Sequence, residues 1–125
     1  MAKYALVVTA EHGDEHPGGQ GRMLHAMNAA KAFRDNGDEV SLWFHGIGVG
    51  WLTAFAEGKD GYTQNYRPLF DDISDLIGGA CDFCMTRRFD AAQAATQLGV
   101  PLVGGDGEHH TVADLAIAGN TVMTF

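Results

Sequence analysis

Apolar runs of strand length alternate with segments of helical spacing along the chain. Tyr4 to Val8 is a continuous apolar run, the pattern of a strand that is covered on both faces of a parallel sheet. The segment from Arg22 to Asn36 places apolar residues at helical spacing, and Gly37 marks its end. Glu39 to Phe44 predicts a second strand. The order strand, helix, strand is the beginning of an α/β fold.

The second half of the chain continues this alternation. Glu57 to Asn65 is mostly polar and is interpreted as an exposed loop. The clearest amphipathic helix runs from Tyr66 to Ile77, and Gly78-Gly79 is interpreted as its stop, with a short strand close to Ala80. The remaining elements are two helices, Phe89 to Leu98 and Thr111 to Ala118, and two strands, Pro101 to Gly104 and Thr121 to Phe125. The whole pattern predicts a single-domain α/β three-layer sandwich with a five-stranded, mainly parallel sheet.

The size and charge of the chain limit the classes of function that it can have. The chain has 125 residues, which is the usual size of one domain, and a formal net charge of −8. Only eight basic residues face sixteen acidic ones, so we expect no binding to nucleic acid. The apolar run after Lys3 is too short for a signal peptide or a membrane span. Two cysteines three residues apart are not a secreted disulfide framework, and together these features predict a cytoplasmic protein.

Reactive side chains are predicted to gather at one edge of the sheet. In an open parallel sheet, ligands bind beyond the carboxyl ends of the strands. The residues that follow or end the first four strands are His12, His16, His45, Cys81, Cys84, His109 and His110. His25, inside the first helix, is the one histidine that is expected elsewhere. Polar loops at this edge are general in α/β proteins, so a functional and a structural interpretation both stay open.

Two glycine-rich segments and the cysteine pair each suggest a ligand, but only weakly. Gly18 to Gly21 lacks the spacing of a phosphate-binding loop and lies close to acidic residues. Gly46 to Gly50 lacks that spacing as well and is interpreted as a flexible turn. A C-x-x-C pair is half of a zinc ligand set, which His109-His110 or His12 could complete. The sequence holds no second C-x-x-C pair, so we predict neither a metal nor another cofactor.

Cys81 and Cys84 are the only cysteines, and they form the most informative segment of the chain. Arg87 and Arg88 follow within a few residues. A thiolate is stabilised by nearby positive charge and by the N-terminus of a helix, and C-x-x-C is a known spacing in redox and sulfur chemistry. The alternative is that both cysteines are small buried hydrophobic residues and that the arginines only solvate a helix face.

This segment also carries a family resemblance. Cys81-Asp-Phe-Cys84-Met85-x-x-Arg88 resembles the C-x-x-C-M-x-x-R-G segment of YchN-like proteins, and nearly the whole chain is similar to the DsrE/DsrF/YchN-like family of sulfur-relay and sulfur-oxidation proteins. Cys81 matches the place of the single cysteine in DsrE and TusD-like members. The chain departs from the family at Phe89, which replaces the glycine after the arginine, and in the longer, more acidic and histidine-rich segment from Glu11 to Gly21.

The resemblance implies a five-stranded α/β subunit in a trimeric or hexameric assembly, with a cysteine that carries sulfur as a persulfide. Under this hypothesis Cys81 accepts sulfane sulfur from a donor protein and passes it to an acceptor protein, while Cys84 resolves or assists the transfer. Arg87 and Arg88 stabilise the thiolate, and the histidines of the sheet edge support the site. The competing hypothesis is a non-catalytic oligomeric binding module whose cysteines are structural.

A homo-oligomer is also expected from the residues themselves. Trp51, Leu52 and Phe55 lie in a segment with little polar cover, which is unusual for the surface of a monomer.

Overall fold

The computed structural model describes residues 2–13, 17–82, 91–104 and 110–125. The strands are β1 (Lys3–Val8), β2 (Glu39–Phe44), β3 (Ile77–Cys81), β4 (Leu102–Val103) and β5 (Thr121–Thr124). The α-helices of the described ranges are α1 (Pro17–Asp35), α2 (Gly50–Glu57), α3 (Gly61–Ile73), α4 (Ala91–Leu98) and α5 (Val112–Ile117). Two short 3-10 helices span Gly46–Val49 and Ser74–Leu76.

The strands form one sheet in the order β4-β3-β2-β1-β5, and all four neighbouring pairs are parallel. The predicted α/β class with a five-stranded parallel sheet is confirmed. From β1 the chain steps to β2, β3 and β4 on one side, whereas β5 returns to the other side of β1. The direction of strand order therefore reverses between β1 and β5, which is the place where open α/β sheets bind ligands.

Helices cover both faces of the sheet and create three layers. Residues from α1, α2, α3 and α4 share one hydrophobic core with the sheet, including Met27, Phe55, Phe70 and Ala95. A second, smaller core on the opposite face holds Leu115 of α5. Residues 5–8 of β1 have no exposed surface, because this strand is covered on both faces as its apolar run predicts. Within the described ranges, no helix combines the length and the apolar composition that crossing a membrane requires.

Helix α1 begins earlier than its hydrophobic spacing indicates. The spacing predicts the helix from Arg22, but the helix starts at Pro17, whose fixed φ suits the first helical position. Gly19 is buried at this end, where a Cβ atom would overlap the carbonyl oxygen of Glu11. Gly19 therefore allows α1 to approach the chain that leaves β1.

The predicted exposed loop from Glu57 to Asn65 is wrong beyond residue 60. Asp60 is the N-cap of α3, and its Oδ1 accepts hydrogen bonds from the backbone N–H and the hydroxyl of Thr63, both at 2.7 Å. Thr63 is buried in the first turn. The polar composition that suggested a loop is that of a capped helix start.

Helix α3 also ends earlier than predicted. It stops at Ile73, and Ile77, which was assigned to the helix, is the first residue of β3. Gly78 and Gly79 do not stop the helix but lie inside this strand. A side chain at Gly78 would overlap the indole of Trp43, and one at Gly79 would be too close to Val103 and to the carbonyl oxygen of Pro101.

The segment after β2 is ordered and buried instead of being a flexible turn. Gly46–Val49 forms a 3-10 helix that leads directly into α2. Trp51, Leu52 and Phe55 of α2 have no exposed surface and belong to the core of the same chain. The argument for a homo-oligomer from these three residues is therefore wrong, because their apolar surface is covered within the subunit.

The other elements agree with the sequence prediction to within two residues where they are described. The start predicted for α4 at Phe89 lies outside the described residues, and the helix is seen from Ala91.

Candidate functional site at the carboxyl ends of the strands

The structure brings two of the predicted histidines together. His45 directly follows β2, and His110 directly precedes the N-cap of α5. The Nε2 atom of His45 lies 3.0 Å from the Nδ1 atom of His110, with the rings nearly perpendicular. One nitrogen must donate and the other must accept at this distance, so the pair holds one proton between its facing nitrogens.

Trp43 positions the ring of His110. The two rings stack with their centroids 4.9 Å apart and an angle of 16° between their planes. The indole N–H donates to the hydroxyl of Ser41 at 2.8 Å, which fixes the indole orientation. The indole also packs over β3, where a Cβ atom at Gly78 would lie 2.7 Å from Cε2 of Trp43. A glycine in one strand thus leaves room for a tryptophan that supports the histidine pair.

A carboxylate at the start of α5 lies in the electrostatic field of this pair. Thr111 and Asp114 form a capping box, in which the Thr111 N–H donates to Oδ2 of Asp114 at 2.8 Å. Hydrogen bonds from the backbone and side chain of Thr111 lower the pKa of Asp114, and the nearby imidazoles of His110 and His45 lower it further. Asp114 therefore adds a negative charge beside the histidine pair.

Cys81 is the last residue of β3, as predicted, and it has no exposed surface. Phe44 of β2 lies opposite Ala80 of β3 in the parallel register. His45 and Cys81 are the residues that follow these two partners, so they leave the sheet at the same edge. Cys84, Arg87, Arg88, His16 and His109 lie outside the described residues.

His12 belongs to a different set of contacts. Its Nε2 atom lies 2.5 Å from Oδ2 of Asp60, and its ring makes an edge contact with Trp51. The indole N–H of Trp51 donates to the carbonyl oxygen of Ala10 at 2.9 Å. These contacts tie the chain after β1 to α2 and to the start of α3. They give His12 a structural role beside Asp60, which the sequence interpretation did not single out.

His25 was expected away from the ligand-binding edge, but it lines a cavity of about 600 Å³ beside the ends of β1 and β5. The cavity is lined by Thr9, Arg22, His25, Ala29, Thr124 and Phe125. The periodicity of α1 showed that His25 is on a helix, but it did not show that this side of the helix faces the reversal point of the sheet.

A scan of protein-family models, a search of curated proteins and a search of solved structures each find no match to this chain. The resemblance to the DsrE/DsrF/YchN-like family therefore stays a prediction from the segment between Cys81 and Arg88. Among the residues that the structure describes, no three histidine, cysteine or carboxylate side chains are grouped as a metal site would require.

Proposed function

We propose that the protein is a sulfur carrier of the DsrE/YchN-like kind, which holds sulfane sulfur on Cys81 as a persulfide. The observation that carries this proposal is the placement of Cys81 at the carboxyl end of β3, on the strand next to His45. The C-x-x-C segment that begins at Cys81 provides a second thiol, Cys84, to resolve or assist the transfer.

The transfer balances without an external oxidant. The thiolate of Cys81 attacks the outer sulfur of a donor persulfide, a new S–S bond forms, and the S–S bond of the donor breaks. The donor leaves as a thiolate and takes up the proton that Cys81 lost. A histidine is the usual side chain to hold a proton between two such steps, and His45 leaves the sheet at the same edge as Cys81.

The burial of Cys81 favours the second candidate, a binding module with structural cysteines. Fully buried cysteines usually behave as small hydrophobic residues and are chemically inert. The sulfur-carrier proposal therefore requires Cys81 to become accessible in the folded protein in solution. This requirement separates the two candidates.

Treating the folded protein with inorganic polysulfide, removing the excess and fragmenting its peptides by mass spectrometry tests the sulfur-carrier function. We expect the mass of one sulfur atom on Cys81, removable by a reducing thiol, and faster alkylation of Cys81 than of Cys84. Cys84→Ala should retain the uptake, whereas Cys81→Ala should lose it. If the native protein takes up no sulfur on Cys81 while the urea-unfolded protein does, Cys81 is structural and the second candidate holds.

The proposal includes a homo-oligomer, but its subunits would meet through a surface other than the segment of Trp51, Leu52 and Phe55. Among the described residues, the large hydrophobic side chains with substantial exposure are Leu102, Val112 and Ile117, and Ile117 is 84% exposed. Val112 and Ile117 belong to α5, the helix that covers the second face of the sheet. A homo-oligomer that buries α5 would remove this apolar surface from water.

Light scattering at micromolar concentration should give a mass that is a multiple of 13.4 kDa, with a trimer or hexamer as the expected state. Ile117→Lys should shift the mass toward the monomer, and it should leave the fold intact because the side chain is exposed in the subunit. A monomeric wild-type protein would remove the claim of assembly. An unchanged oligomer in Ile117→Lys would show that the subunits meet elsewhere.

A further inference from the structure

We propose that the cavity between α1 and the ends of β1 and β5 binds a small organic anion. The anionic group would be a carboxylate or a phosphate, and the ligand would carry an apolar part. This site is separate from Cys81 and does not depend on the sulfur-carrier function. Four observations support it: the position of the cavity, its arginine and histidine side chains, its hydroxyl groups and its apolar floor.

The cavity lies where the fold favours a ligand. The order β4-β3-β2-β1-β5 reverses direction between β1 and β5, and the cavity is lined by Thr9 after β1 and by Thr124 and Phe125 at the end of β5. Its volume of about 600 Å³ falls within the range of small-molecule sites. Ligands of open parallel sheets bind in the crevice at such a reversal point.

The cavity contains an arginine and a histidine whose side chains have no hydrogen-bond or ion-pair partner in the described ranges. Arg34 pairs with Asp72, and Arg67 pairs with Asp71. In contrast, Arg22 and His25 make no hydrogen bond or ion pair in the part of the chain that the structure describes. They are three residues apart on α1, so they lie on the same side of the helix.

An arginine and a histidine that pair with no carboxylate in the described ranges are informative in a chain with net charge −8. A carboxylate or phosphate ligand would supply the missing partner, and a guanidinium can bind either group with two parallel hydrogen bonds.

The remaining lining residues define the other end of the ligand. The ring of Phe125 and the methyl group of Ala29 offer apolar contacts. The hydroxyl of Thr9 already donates to the carbonyl oxygen of Phe125 at 3.2 Å and keeps its acceptor capacity, and Thr124 adds a second hydroxyl. A ligand with an anionic end and a small ring or hydrocarbon body fits a cavity whose lining includes both Arg22 and His25 and the apolar groups of Phe125 and Ala29. A free inorganic ion would use only the cationic side.

Titration of the full-length ¹⁵N-labelled protein, followed by amide chemical shifts in NMR, tests the proposal. The probes are benzoate and phenyl phosphate, which share a ring but differ in the anionic group, and benzyl alcohol, which has the ring without the charge. We expect saturable shifts at Thr9, Arg22, His25 and Thr124 with at least one anion, and at least tenfold weaker binding of benzyl alcohol. The anion that binds more tightly identifies the anionic group that the site prefers.

Arg22→Gln should weaken binding of the preferred anion by about tenfold or more, because it removes a charge-assisted hydrogen bond. Arg34→Gln is the matched control: it removes an arginine from the same helix at a position outside the cavity, and the affinity should not change. Cys81→Ala should also bind normally, which separates this site from the sulfur-carrier function.

Three outcomes would overturn the proposal. The first is the absence of saturable shifts at the cavity residues with both anions. The second is equal weakening by Arg22→Gln and Arg34→Gln, which would indicate a general charge effect. The third is a set of cavity shifts that follow protein concentration instead of ligand concentration, which would make this groove an interface between two copies of the chain.

Discussion

Replacing Gly48 with alanine is expected to lower the free energy of unfolding by about 3 kcal/mol, at the upper end of the usual cost of overpacking. A Cβ atom at this position would overlap the carbonyl oxygen of Val8 and would lie 2.8 Å from its carbonyl carbon and 3.1 Å from Cα of Thr9. All three neighbours are backbone atoms of β1 or of the residue that follows it, so they cannot move aside as a flexible side chain can. The same Val8 oxygen accepts the N–H of His45 at 3.1 Å.

The measurement is urea unfolding followed by circular dichroism, with Gly21→Ala as the control. Gly21 lies inside α1, and a Cβ atom there would meet no other atom within 4 Å. Because alanine favours a helix more than glycine does, this variant should gain about 0.5–1 kcal/mol. If Gly48→Ala instead unfolds at the wild-type urea concentration, the close approach between the 3-10 helix and β1 is not present in solution.

Gly48 also shows why parts of the fold could not be predicted from the sequence. The apolar runs at β1 and β2 predict those strands well, because burial on both faces of a parallel sheet requires continuous hydrophobic residues. A glycine, however, signals a turn, a break or a close backbone approach equally well. Gly48, Gly19 and Gly78 all permit close packing between elements distant in sequence, and local patterns carry no information about such contacts.

The start of α3 was missed for a related reason. Gly58 and the Asp60-Gly61 pair have the composition of a loop. In the structure, Gly58 is the C-cap of α2 and Asp60 is the N-cap of α3, so a tight connection between two helices has the same composition. The pattern of Asp60 with Thr63 was the available signal. It is short and common, and the buried state of Thr63 depends on tertiary packing that the pattern does not encode.

The candidate site could be predicted in part. Topology places the residues that follow parallel strands at one edge, and His45, Cys81 and His110 lie there as expected. The pairing of His45 with His110 could not be inferred, because they are 65 residues apart and the position of the His110 ring depends on its stacking against Trp43. The cavity beside α1 could not be predicted either, because it depends on the position of β5, which lies on the side of β1 opposite to β2.

Asp60→Ala is expected to lower the free energy of unfolding by about 2 kcal/mol at neutral pH, since it removes an N-cap and the acceptor of the buried Thr63 N–H. Its carboxylate accepts both the N–H and the hydroxyl of Thr63, which is only 1% exposed. Asp60→Asn should cost much less, because asparagine is an equally good N-cap residue and keeps an acceptor for Thr63. The difference in free energy of unfolding between the two variants measures the contribution of the side-chain acceptor. The difference between Asp60→Asn and the wild type measures the contribution of the negative charge.

The charge of Asp60 should appear as a dependence of stability on pH. Burial on its own raises the pKa of Asp60, but hydrogen bonds from Thr63 and from His12 outweigh burial and hold it below the ordinary value of 3.8. A lowered pKa in the folded state means that the unfolded chain binds the proton more readily, so the contribution is complete above the unfolded pKa and is lost as the pH falls through the folded pKa. Urea unfolding across this acidic range should therefore show the free energy of unfolding of the wild type falling to that of Asp60→Asn. The control is Asp75→Asn, which removes the same charge from an exposed position. Its free energy of unfolding should differ from that of the wild type by less than about 0.5 kcal/mol at every pH. A constant difference between wild type and Asp60→Asn at every pH would show that the contacts of Asp60 with Thr63 and His12 do not depend on its charge.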